Sequence, residues 1–239
     1  MNLSNFRNCV FFFIFDDFFN KKQLRNAHTL LRMQKTALYF FILLFFGSCA
    51  PKIFEGLDSS GKKWIEKSDL YPFTVDTILM YNMKIYRKDG VFSGILLIKP
   101  IKNHSIRTLF TSTSGMTIFD FELSETAFKV NYCLPPLMEK RVFNLLRKDF
   151  RALFSCHLPE EIEAEVYEKE SVPVAYKIKT TDGKAYFLIQ DKQLKKVEMP
   201  AMVTSLQIDY KNYKNNLPEN ILIAHPSLNL SMQLDKIKQ

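Results

Sequence analysis

The chain has 239 residues, 33 Lys/Arg against 25 Asp/Glu, and an apolar fraction of 47%, a balance that suits a packed core and excludes a disordered, charge-dominated chain. Six of the basic and two of the acidic residues precede Cys49, so residues 49–239 carry a net charge of +4 with both signs interspersed. No stretch there clusters Lys/Arg with stacking aromatics, which excludes a nucleic-acid footprint. At the start, residues 1–32 hold the Phe-rich string CVFFFIFDDFFN, broken by Asp16 and Asp17 into a poor membrane span with no cleavage context of its own. Translation is therefore expected to begin at Met33, with residues 1–32 an over-extended start.

Residues 37–46 form an apolar run of ten, preceded by Lys35 and followed by Gly47 and Ser48. A membrane-spanning helix needs about 20 apolar residues, and this shorter run has the proportions of a signal-peptide core. The string Phe46-Gly47-Ser48-Cys49 resembles the lipobox of bacterial lipoproteins. The resemblance implies a signal peptide over residues 33–48 and a diacylglyceryl group on the Cys49 thiol, with the small Gly and Ser letting the peptidase close on the bond. The alternative is an ordinary secretory signal with an incidental cysteine.

Residues 49–60 read as a tether, and residues 58–67 (DSSGKKWIEK) as the start of a short helix with Trp64 and Ile65 as its packing residues. Five β runs follow, at 77–87, 91–99, 105–111, 116–123 and 127–132, rich in β-branched and aromatic residues and separated by turn signals. Phe119, Phe121 and Leu123 alternate with Asp120 and Glu122, and Phe128, Val130 and Tyr132 alternate with Lys129 and Asn131. Pro135 and Pro136 open a helix over 137–154, with Glu139 near its positive end. Its apolar stripe is Met138, Val142, Leu145, Leu146, Phe150 and Leu153. Opposite lies a basic face of Lys140, Arg141, Arg147, Lys148 and Arg151, to be either solvated or held near anionic head groups.

Seven more β runs, at 164–169, 174–179, 184–190, 193–199, 203–210, 220–224 and 228–235, complete the chain. In the last, Leu228, Leu230, Met232 and Leu234 are expected inward. The fold class is then mainly β: a curved antiparallel sheet of about eleven strands forming an unclosed barrel, with one helix on its concave side. It is a single domain over 61–239. Cys133 and Cys156 could be joined in a permissive compartment or could simply be two small buried side chains.

This element order, with the run GILLIKP at 94–100 and the closing LPENILIAHPSLNLSMQLDKIK at 217–238, resembles the LolA/LolB-like lipoprotein carriers and receptors and related outer-membrane lipoproteins of Bacteroidetes-type bacteria. The resemblance spans residues 77–238. It implies a half-barrel whose concave face shelters acyl chains (palmitate-like), and a lipid-anchored location in the outer membrane facing the periplasm. Phe119, Phe121, Phe128, Val130, Tyr132, Met138, Val142, Leu146, Phe150, Leu228, Leu230, Met232 and Leu234 are the expected cavity lining. The competing expectation is that the same side chains fill a solid core.

Catalytic patterns are scarce. His104, His157 and His225 fall in turns or at a helix end, and the adjacent pair Cys156-His157 is not a nucleophile–base arrangement. SGMT at 114–117 lacks the nucleophile-elbow context, TDGK at 181–184 is a hairpin turn, and no zinc spacing occurs. No catalysis, cofactor or metal is expected. The expected partners are the membrane, through lipid on Cys49, and a lipoprotein or acyl-chain ligand; the alternative is an accessory lipoprotein whose filled core serves as a docking module for an envelope protein.

Overall fold

A computed structural model describes residues 52–71, 75–88, 90–101, 105–154, 158–169, 173–201 and 204–238. The leader region, Cys49, Cys156, His104 and His157 lie outside them. Thirteen strands form one antiparallel sheet, β1 (Asp58–Glu66), β2 (Leu79–Arg87), β3 (Gly90–Ile101), β4 (Ser105–Ser112), β5 (Thr117–Leu123), β6 (Phe128–Cys133), β7 (Glu161–Glu168), β8 (Val174–Thr180), β9 (Gly183–Gln190), β10 (Gln193–Met199), β11 (Leu206–Lys214), β12 (Leu217–His225) and β13 (Leu230–Lys236). Among the described residues two α-helices accompany it, a single turn α1 (Lys67–Leu70) and α2 (Lys140–Phe154).

The strand order is β1-β7-β8-β9-β10-β11-β12-β13-β2-β3-β4-β5-β6. The two runs of strands read from the sequence are thus two meanders, joined where the last strand, β13, pairs with β2. The sheet does not close; β1 and β6 are its edges. It curls instead. The Phe150 ring packs on Phe119 and Phe121 of β5, at 5.2 and 6.1 Å between centroids, while the next residue, Arg151, lies 3.7 Å from Asp182 in the β8–β9 turn. Eight strand spacings separate β9 from β5, about 38 Å in a flat sheet. A helix about 10 Å across touches both only from the concave side of a curved sheet.

Residues 58–66 are not helical, and a helical turn begins only at Lys67. They form the edge strand β1, paired with β7 over eight positions, with a bulge between Ser59 and Gly61, where Gly61 has φ +88°. Only Ile65 of β1 is part-buried against the core, so the strand shows no alternation; its Lys, Ser and Gly residues hide it, and backbone pairing outweighs local propensity. The expected tether is likewise shorter than residues 49–60. Ile53 is buried and the Phe54 ring sits 4.1 Å from Tyr167, so the packed fold begins in the 3₁₀ turn Lys52–Phe54.

The helix expected over 137–154 splits. Pro135–Met138 form a 3₁₀ turn, Glu139 is extended at ψ 129°, and α2 starts at Lys140. One continuous core runs beneath the curved sheet, from Ile162 and Ile178 at one side through Leu194, Ile208 and Leu234 to Phe110, Phe119 and Phe121 at the other.

Candidate functional site

The concave face beside α2 is the region where the expected site residues converge. On β5 the rings of Phe119 and Phe121 stack at 4.5 Å, and Phe110 of β4 lies 5.4 Å from Phe119. Phe121 also meets Phe128 of β6 at 4.9 Å and Phe143 of α2 at 6.4 Å. Such offset and edge contacts contribute about 1 kcal/mol each beyond area burial. Phe119, Phe121, Leu146, Phe150, Met232 and Leu234 are buried. Phe128, Val130, Leu137, Val142 and Phe143 are only partly buried against the same core. Among the described residues no strand lies beyond β6, and α2 and the preceding turn pack against this apolar seam.

Three expected lining residues are exposed. The β5–β6 register shifts between Asp120 and Phe121, so Val130 faces Phe121 but Tyr132 faces Asp120 on the outer side. Met138 lies in the 3₁₀ turn, cut off from the helical stripe by extended Glu139. Leu228 lies in a 3₁₀ turn, Pro226–Leu228, closed by Asn229 in the left-handed region, and β13 starts only at a half-buried Leu230. Cys133 is a free thiol, half-buried at the end of β6.

Polar ties hold α2 in the concavity. The Tyr210 hydroxyl donates to the Leu153 carbonyl at 3.2 Å, and the Tyr71 hydroxyl donates to the Ala152 carbonyl. These are last-turn carbonyls with no partner within the helix. Arg147 and Arg151 reach Asp182 at 3.8 and 3.7 Å.

Deeper in, Asp149 of α2 and His225 at the end of β12 meet at 3.0 Å with no exposed side-chain surface. His225 Nδ1–H donates to the Ser205 carbonyl at 3.1 Å, which leaves Nε2 for Asp149 Oδ2. Burial pushes the Asp149 carboxyl above its ordinary range, with His225 pulling the other way. Both ring nitrogens of His225 are engaged, so the pair ties α2 to the end of β12.

The outer side of β4–β6 is polar. Arg107 Nε–H donates to Asp120 at 2.8 Å, and the Asn131 amide donates to Glu122 at 2.8 Å. The Arg107 guanidinium holds the Asp120 carboxyl below the usual carboxylate range. Among the described residues, no three His, Cys, Asp or Glu side chains are grouped to hold a metal ion, and no helix is long and apolar enough to cross a membrane.

The sequence reading missed the Asp149–His225 pair. A signal existed: Asp149 falls on the apolar stripe, three residues after Leu146 and four before Leu153.

The site therefore belongs to a mostly β protein with an open antiparallel sheet wrapped on a helix. No family model matches the chain, and no curated protein matches it. Among solved structures, a DUF1329 family protein from Desulfovibrio piger is similar over 67% of this chain and 83% of its own, with 8% sequence identity and a TM-score of 0.41.

Proposed function

We propose that this protein is a non-catalytic, lipid-anchored envelope protein, held in the outer membrane through Cys49 and facing the periplasm. It takes the acyl chain of a lipoprotein or similar amphiphile along its concave face. The observation that supports this reading is the partly buried seam of Phe128, Val130, Leu137, Val142 and Phe143, continuous with the buried stack of Phe119, Phe121 and Phe150. An acyl chain entering there displaces α2 from the sheet and replaces its apolar contacts, at about 0.8 kcal/mol per sheltered CH₂.

The test uses the compact unit Ala50–Gln239. A fluorescent apolar probe is bound without detergent and competed with a triacylated lipopeptide. Saturable displacement at micromolar lipopeptide supports the reading; a folded unit that takes up no probe refutes it. A second reading, a protein-docking module with a filled core, is favoured by the near-complete burial of Phe119, Phe121, Phe150 and Leu153, and cross-linking to an envelope partner tests it.

A further inference from the structure

The outer face of β1, β7, β8 and β9, away from α2, combines three features that the concave site does not use. The first is a basic hollow of about 360 Å³ that includes Lys62, Glu163, Glu165, Lys177, Lys179 and Lys184 in its lining. Glu163 holds Lys62 at 3.3 Å and Glu165 holds Lys177 at 2.6 Å. Lys179 and Lys184 stand directly opposite each other across β8 and β9, both exposed, and neither forms an ion pair among the described residues. Like charges placed so repel, and an anion between them removes the repulsion.

The second is Trp64, the single tryptophan of the chain, 73% exposed and opposite Glu163 on the edge strand. An indole has an apolar body and one N–H donor, which suits the boundary between water and lipid.

The third is where the chain enters the fold. Phe54 packs on Tyr167 and Tyr186 at 4.1 and 5.1 Å, and Tyr186 stands opposite Lys177. Cys49 is four residues before buried Ile53, at most about 14 Å of extended chain. A lipid on Cys49 would be tethered within that reach of the point where the chain joins this face.

We infer that the outer face of β1, β7, β8 and β9 is a membrane-docking surface, with Trp64 at headgroup depth and Lys179 and Lys184 engaging the phosphates of anionic lipid headgroups. The surface is bounded on one side by the opposed pair Glu66 and Glu161. Its orientation rests on the lipidation of Cys49; its chemistry does not.

The full chain is purified in mild detergent and reconstituted into phosphatidylcholine vesicles with and without phosphatidylglycerol. Trp64 alone reports in the emission spectrum. With phosphatidylglycerol, the emission shifts to the blue and brominated acyl chains quench it; in phosphatidylcholine alone both effects are weak. Lys179→Gln with Lys184→Gln lowers the docking equilibrium about 30-fold, at about fivefold per lysine near an anionic surface. Emission that stays solvent-like in anionic vesicles overturns the inference, as does an unchanged equilibrium in the lysine variant. A blue shift produced by inorganic phosphate alone also overturns it, because the site then serves a free anion.

Mass analysis of the same preparation reads lipid on Cys49 separately. A lipidated chain with solvent-exposed Trp64 overturns the docking surface and leaves the anchor standing. A chain without lipid that still docks supports the surface on its own chemistry and removes the anchor from the proposed function.

Discussion

Replacing Asp149 tests how α2 is fastened. His225 Nδ1 faces the Ser205 carbonyl at 3.1 Å and must carry the hydrogen, so the 3.0 Å contact between Nε2 and Asp149 Oδ2 holds one proton. Burial raises the Asp149 carboxyl, which favours that proton on the carboxyl, donated to Nε2. Asp149→Asn preserves such a donor through its amide N–H and is expected to cost about 1 kcal/mol or less. Asp149→Ala leaves Nε2 buried and unpaired and opens a small void, at about 3 kcal/mol together.

His225→Ala strands both the carboxyl and the Ser205 carbonyl, at about 4 kcal/mol. Asp149 Oδ1 already lacks a partner, so nothing nearby takes over. In a domain of this size 1 kcal/mol moves the melting temperature by about 3 °C, so the alanine variants melt roughly 10 °C lower. Urea unfolding gives the free energies, and the double alanine variant closes the cycle. Its cost falls well short of the sum of the single variants, because each single loss is mostly the stranded partner. An asparagine variant as damaged as the alanine variant, or an additive cycle, refutes the neutral hydrogen-bonded pair.

Tyr210→Phe removes only the hydroxyl that holds the Leu153 carbonyl; it is expected to cost about 1 kcal/mol and to raise apolar-probe binding by easing α2 from the sheet, with lower or equal probe uptake counting against displacement of α2. Gly94→Ala places a methyl 2.0 Å from the Thr111 carbonyl oxygen and 2.8 Å from the Phe110 ring, and the β3–β4 pairing must shift, at about 3 kcal/mol in urea unfolding. Asp120→Asn tests the depressed carboxyl beside Arg107. A depressed carboxylate contributes stability above its unfolded value near 3.9, lost as pH falls through the folded value. The gap between wild type and variant is therefore full at pH 7, unchanged to about pH 5, and closes only in stronger acid, as urea midpoints at each pH will show.

The sheet was legible wherever one face of a strand meets the core and the other meets water. Phe119, Phe121 and Leu123 are buried on the core face as their spacing implies, although Asp120 between them is buried too, and the wide apolar stripe marked α2. Legibility failed where another constraint displaces period two. Strand β1 is exposed at every position but Ile65, so no alternation exists to read. At Tyr132 a bulge resets the phase, and at Leu228 a proline-led turn takes the residue out of the strand before the pattern reaches it. Asp149 and His225 lie 76 residues apart, and only the curl of the sheet brings them together.

That curl also decides which surfaces are free to act. With α2 inside the concavity, its Phe143, Phe150 and Leu153 meet the core while Arg147 and Arg151 turn to Asp182, so the part of its basic face formed by these two arginines faces another element rather than open water. The unpaired basic charge on the outer side includes the Lys179–Lys184 pair, on the same face as Trp64 and the point where the chain enters the fold. The proposed amphiphile site and the proposed docking surface therefore lie on opposite faces of one sheet. Lys179→Gln with Lys184→Gln should release Trp64 from anionic vesicles without changing probe binding, whereas Tyr210→Phe should change probe binding without moving Trp64 emission. If either variant moves both readings, the two faces are coupled through the sheet, and the separation argued from its geometry is wrong.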